Sequence, residues 1–410
     1  MSTSLKKTVT SLLPYLVVAL AVVLAEVGLR LWAESLSVPI VKEVRYDQID
    51  WYQTNRRYLV KYFSSDTPLV PEFKENLFRK EKKPNTFRVF CLGESSMFGV
   101  PYQMTANIPG LLRRQLRNAY PEKEIEVVNW GASAINSNAI LHLSKSLAQF
   151  DPDLVCVYMG HNEFYGPEGI GAGFVERLFP SLISLKYDVR DLRLVKILTN
   201  LFVSKATTPP DANMMQQVSQ GSKVPLESED AEWVFRNYAR NLGKLLEFWK
   251  EKGVPVIVSD VTSNMMFPPF IHDELPAGTE ESIRTMYDAG RHDELIPMLE
   301  SLNHQHQGNA FVQYWLGRAK LTVRRWGEAR IHLAMARDYD LLKFRAPLKI
   351  NLIAREVSKE KQVPFVSADS LFAVLSPDDI PGDQLFWEHL HPKVNGYYAI
   401  ARLFFTAITQ

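Results

Sequence analysis

From Phe87 onward, short uninterrupted apolar runs alternate with longer segments whose hydrophobic positions recur at helical spacing: FRVFCLG, NIPGLLRRQLRNAYP, IEVVNWG, NAILHLSKSLAQF, then DLVCVYMG. A strand covered on both faces needs no polar alternation, whereas a helix lying on a sheet buries only one stripe. The rhythm therefore predicts βαβ units and a parallel sheet with helices on both sides. It resumes with the amphipathic AEWVFRNYARNLGKLLEFWKEKG of Ala231 to Gly253, an apolar VPVIVSDV, a helical PLKINLIAREVSKEKQ, a short VPFVSAD and a closing helical NGYYAIARLFFTAIT. These segments predict an α/β domain with a parallel five-stranded sheet, split between residues 87–270 and 346–410. Ligands bind at the carboxyl ends of strands in such sheets, and each of the first three runs ends in glycine.

Two stretches break the rhythm. Residues 280–345 read as helical throughout, and Glu294 and Leu299 recur as Glu328 and Leu333, at about the 34-residue period of a tetratricopeptide repeat. The second copy carries Trp315, Leu316, Gly317, Ala319, Ala329 and Ala336; the first lacks the tryptophan and glycine. So few units cannot form an independent solenoid, which makes them an insertion leaning on the α/β domain, where they either offer a surface to a protein partner or only shape the cleft. The other stretch, Phe164 to Asp230, is too long for an ordinary connection and reads as a partly helical lid.

Ahead of the α/β domain, Leu12 to Ala25 form an uncharged apolar run within residues 9–32, read as a single membrane-spanning anchor with Glu26 and Arg30 near one end. The small residues around LAE make a cleaved signal peptide the competing reading. Lys6 and Lys7 oppose Arg30, Lys42 and Arg45, so charge does not orient the helix decisively; a short cytoplasmic tail places the domain outside the cytoplasm. Residues 33–86 read as a linker and docking segment, its aromatics suggesting a strand or hairpin against the main domain.

Composition narrows the choice of function. Lys and Arg number 47 against 46 Asp and Glu, so the net charge of +1 leaves no electrostatic footprint for nucleic acid. The cysteines, Cys91 and Cys156, sit within apolar runs and read as reduced core thiols, with a disulfide between neighbouring strands as the alternative.

Candidate chemistry collects at the strand ends: GESSMFG after the first, NWGAS after the second, GHNE after the third, and WEHLHP, Trp387 to Pro392, near the closing helix. Taken singly, Ser95 in the first block is also a plausible helix N-cap, and WEHLHP fits a general base, a metal cluster or a polar loop equally well. His161, inside GHNE, is a candidate substrate contact or a structural histidine. Arg345 is a candidate for an anionic substrate group or an ordinary surface arginine. His304 and His306 have the composition of a metal pair but read as a solvated loop, and no metal or cofactor is expected.

The order serine, glycine, asparagine, then carboxylate-x-x-histidine resembles the SGNH (GDSL-like) hydrolases, in particular membrane-anchored bacterial types with a tetratricopeptide-like insertion. That resemblance implies a flavodoxin-like three-layer sandwich and a serine hydrolase acting through an acyl-serine intermediate. Ser95 is then the nucleophile, His391 the base and Glu388 its acid partner, where the family commonly has aspartate, with Asp383 as the alternative acid. The Ser95 and Gly131 N–H groups and the Asn162 amide form the oxyanion hole. Glu94 likewise stands where aspartate is usual. The implied substrate is an ester of an envelope glycan or lipid-linked molecule, the O-acyltransferase and the non-catalytic scaffold being the competing readings.

Overall fold

A computed structural model describes residues 3–32, 38–63, 70–102, 105–202 and 223–410. The first helix, α1 (Thr3–Trp32), contains a 21-residue stretch, Leu12–Trp32, of mean hydropathy 2.4 whose side chains are largely exposed, Glu26 excepted, and which is long and apolar enough to cross a membrane. Strands β1 (Val41–Tyr46), β2 (Ile49–Thr54) and β3 (Leu77–Arg79) form an antiparallel sheet in that order, one strand more than the hairpin expected. Its Tyr52 and Phe78 join the main core beside Phe90, Trp130 and Phe150, so this sheet is an extension of the α/β domain.

The main sheet contains β4 (Thr86–Gly93), β5 (Glu124–Asn129), β6 (Leu154–Tyr158), β7 (Val256–Ser259) and the two-residue β8 (Phe365–Val366). All pairings are parallel and the order is β5-β4-β6-β7-β8, the flavodoxin-like arrangement that switches direction at β4. Cys91 and Cys156 face one another in register on β4 and β6 as free buried thiols. A single turn, α2 (Ser95–Phe98), leaves β4, and α3 (Ile108–Ala119) and α4 (Ser137–Leu147) follow. Asn107 caps α3 by accepting the Gly110 N–H, after which Ile108, Leu111, Leu112 and Leu116 turn into the core.

Beyond β6 lie α5 (Phe174–Leu178), α6 (Ser181–Arg190) and α7 (Arg193–Phe202). Residues 203–222 of the expected lid fall outside the described residues. Helix α8 (Glu229–Glu251) has three acidic residues in its first turn and a Ser228 cap, both favourable at the positive end of the helix dipole. Four helices follow β7: α9 (Thr279–Asp288), α10 (His292–Gln305), α11 (Ala310–Thr322) and α12 (Trp326–Tyr339). Ile283, Leu295, Leu299 and Leu316 give this insertion a core of its own. Tyr314, Ala329 and Leu333 also pack on Met265 and Ile380, so the insertion leans on the α/β domain. The chain returns through α13 (Leu348–Glu360), α14 (Ala368–Val374) and α15 (Val394–Thr409). Helices α4, α8 and α13 cover one face of the sheet, α3 and α15 the other.

Gly93 ends β4 where space is most restricted. A Cβ there would lie 2.2 Å from the Tyr158 carbonyl oxygen and 2.6 Å from Met97 Cβ. Gly93→Ala should therefore destabilise the fold by roughly 1–3 kcal/mol, through a shift of β4 against β6. Chemical denaturation measures this, and an unchanged midpoint would contradict the packing described.

Candidate active site

Ser95 opens α2 directly after β4, so its own N–H belongs to the first turn, where helix N–H groups have no partner within the helix. Asn129, at the end of β5, fixes that turn by donating through Nδ2 to the Met97 and Phe98 carbonyls, at 3.2 Å each. Gly131 packs directly beneath it: a Cβ would approach the Phe98 nitrogen to 2.5 Å. The Gly131 N–H donates to Asn129 Oδ1 at 2.9 Å. Of the three oxyanion donors expected, this one is already engaged within its own turn, which corrects the picture of three open donors.

Glu94, the residue before Ser95, is buried and accepts the successive N–H groups of Gly160, His161 and Asn162 at 3.1, 2.8 and 3.2 Å. Burial and the nearby Glu163 push its carboxyl well above the usual range, against the pull of these three bonds. The carboxylate ties the end of β6 to the start of α2 and so sets Asn162 beside Ser95. The Asn162 amide spends one N–H on the Ile135 carbonyl, at 3.1 Å, and has a second to offer.

WEHLHP approaches from the other side. His391 Nε2 lies 2.8 Å from Ser95 Oγ and its Nδ1 lies 2.7 Å from Glu388 Oε1. With Nδ1–H donated to the carboxylate, Nε2 is left to accept from the serine hydroxyl. Glu388 Oε1 also accepts the His391 N–H at 2.6 Å, while Oε2 contacts His389 Nδ1. Burial works to raise the Glu388 carboxyl, but its bonds to His389 and His391 prevail and hold it well below the usual carboxylate range. His389 is buried among Phe267, Phe270 and Phe344, and burial lowers its basicity despite Glu388. The alternative acid, Asp383, is turned away: its Oδ1 accepts from Asn264 Nδ2 at 2.7 Å.

The remaining candidates are placed differently. His161 is 3% exposed, and its Nδ1 accepts the Ala346 N–H at 3.2 Å. Burial and the neighbouring His391 and His389 lower its pKa to about 3, so it stays neutral and supports the site from within. Arg345 is buried, not at the surface. It is 1% exposed, pairs with Asp340 at 3.3 Å, and donates to the Asn264 and Phe267 carbonyls at 3.0 and 2.8 Å. Asn264 in turn donates its N–H to the His389 carbonyl and its amide to the Glu388 carbonyl, so Arg345 joins the insertion's return to the WEHLHP loop. The motif did not reveal Glu94 or Asn264 as organisers, because their partners are mostly backbone groups.

Two outcomes test this description. Arg345→Met should lower stability by roughly 3–5 kcal/mol, because Asp340 would be left buried without its cation, while KM for a small ester stays unchanged. A raised KM at unchanged stability would restore a substrate role. Burial raises Glu163 to about 7 even though Ser137 donates to it, above the roughly 4.3 of an unfolded glutamate. That proton stabilises the fold fully below the lower value and its contribution is lost as pH rises through the upper one. The fall in Tm from about pH 5 to 8 should be shallower in Glu163→Gln; parallel curves would exclude Glu163 as a source.

No protein-family model and no curated protein matches the sequence. Solved structures that resemble it include a lipase/acylhydrolase of Enterococcus faecalis, at 12% identity and a TM-score of 0.36, covering 78% of this chain and 95% of that one. A GDSL-like lipase of Bacteroides thetaiotaomicron matches at 13% identity and a TM-score of 0.34, covering 78% and 87%. A two-domain esterase active on acetylated mannans matches at 10% identity and a TM-score of 0.36 over 79% of this chain and 49% of that one.

Proposed function

We propose that the chain is a membrane-anchored serine esterase of the SGNH type that hydrolyses an ester, such as an O-acetyl group, on an envelope glycan or lipid-linked substrate outside the cytoplasm. The observation that carries this reading is the continuous relay from Glu388 through both nitrogens of His391 to Ser95 Oγ. In the proposed reaction His391 takes the Ser95 proton as Oγ attacks the ester carbonyl, and Glu388 stabilises the imidazolium. The Ser95 N–H and the second Asn162 amide hydrogen receive the oxyanion, and Gly131 joins them by sharing the N–H now given to Asn129. Collapse expels the alcohol, which takes the proton from His391; water activated by the same imidazole then releases the acid and frees Ser95. An alcohol entering at that second stage would turn hydrolysis into acyl transfer without changing any of these roles.

Purified full-length protein should hydrolyse a short-chain nitrophenyl ester and be labelled by a fluorophosphonate at Ser95. Ser95→Ala should lose both properties, Glu388→Gln should slow turnover by roughly 10²–10⁴-fold, and Asn162→Ala by about 10²–10³-fold. Labelling at another residue, or full activity in Ser95→Ala, would remove the proposed nucleophile. A wild-type chain that neither turns over ester nor takes the label would favour a scaffold role for the helical insertion.

A further inference from the structure

Helices α5, α6 and α7 expose apolar side chains on the side away from their ion pairs. Arg177 on α5 binds Asp230 at 2.7 Å, Lys186 and Asp188 on α6 meet Glu168 and His142 at 3.0 and 2.9 Å, and Asp191, between α6 and α7, meets Lys61 at 3.3 Å. Ile183 and Tyr187 of α6 are buried in the core, while other apolar side chains face outward. Phe174, Leu178, Leu182, Leu185 and Val189 recur at three- or four-residue steps as one exposed stripe, with Phe174 77% exposed. Leu198 and Leu201 extend the pattern on α7. Single exposed leucines are ordinary, but a set of seven apolar side chains on consecutive helices marks a surface with an apolar neighbour.

The contact between α7 and α1 indicates what that neighbour is. Glu26, buried on an otherwise exposed apolar helix, accepts the Arg193 and Leu194 N–H groups at 3.2 and 3.0 Å and so caps the start of α7. The Arg193 guanidinium donates to the Leu29 carbonyl at 2.8 Å. Both contacts fall near the end of the span Leu12–Trp32, beside the folded body. The apolar stripe is thus continuous with the place where α1 leaves the hydrocarbon. We propose that α5, α6 and α7 form an in-plane docking surface seated in the headgroup–acyl boundary of the same bilayer that α1 crosses. The proposal rests on α1 spanning a membrane and is independent of the esterase chemistry.

The test uses full-length protein in lipid nanodiscs, with an environment-sensitive fluorophore on a cysteine introduced by Leu178→Cys, Leu185→Cys, Val374→Cys or Val18→Cys in separate preparations; Cys91 and Cys156 are buried and stay in place. Labels at positions 178 and 185 are expected to be quenched by lipids spin-labelled close to the headgroup and shielded from aqueous iodide, as for a helix roughly 5–10 Å deep. The label at position 374, on exposed α14, should behave oppositely. Iodide quenching at 185 equal to that at 374, with the label at 18 in lipid, overturns the docking surface alone. Shielding of 185 from both quenchers also overturns it and assigns the stripe to a protein partner or a second copy. Iodide access at position 18 removes the membrane span itself, and the proposal with it.

Discussion

A carboxyl group buried between two strand ends organises one whole wall of the site. Glu94 receives three consecutive backbone N–H groups from Gly160 to Asn162, groups that would be costly to bury without an acceptor. Because Glu94 immediately precedes Ser95, the position of the asparagine amide is defined relative to the serine through one side chain and one peptide bond. The loop after β6 could not otherwise turn inward at that point without leaving its N–H groups unsatisfied.

The opposite wall is held by a second buried cluster. Asn264, beyond β7, bonds the WEHLHP loop at the carbonyls of His389 and Glu388, and is itself held through its carbonyl by Arg345. Arg345 is neutralised by Asp340 at the exit of the insertion. Helical insertion and WEHLHP loop therefore share a structural foundation, although the insertion lies outside the sheet. Glu388 divides its two oxygens between His391 and His389, and the aromatic cluster around His389 limits how far the loop can move.

Much of this was legible in the sequence, because continuous apolar runs and terminal glycines are direct consequences of burial on both sheet faces. FRVFCLG, IEVVNWG, DLVCVYMG, VPVIVSDV and VPFVSAD all contain strands of the main sheet, and the separation of Glu388 from His391 gave the geometry seen between them. The three residues of β3 were not legible, since a strand that short carries no period of its own. Glu94 was visible only as a departure from the usual aspartate, and its organising role was not, because its ligands are N–H groups, which every residue but proline possesses. Arg345 looked like a surface residue because Asp340, which makes its burial tolerable, is distinguished only once the insertion is folded. The engaged N–H of Gly131 depends on the rotamer of Asn129, which sequence does not record.

Ser95 and His391 lie 296 residues apart along the chain, and the whole insertion intervenes. Contacts of such separation form late, after the entropy of closing the intervening chain has been met. On the proposed reading of Ser95 as nucleophile, a partly folded molecule would present the serine on its completed β4–α2 turn while lacking the imidazole that activates it. Acquisition of a reactive hydroxyl would then be a signature of finished tertiary structure, so the fraction of molecules able to react with a serine-directed probe would count those that have completed folding, independently of how much secondary structure the population contains.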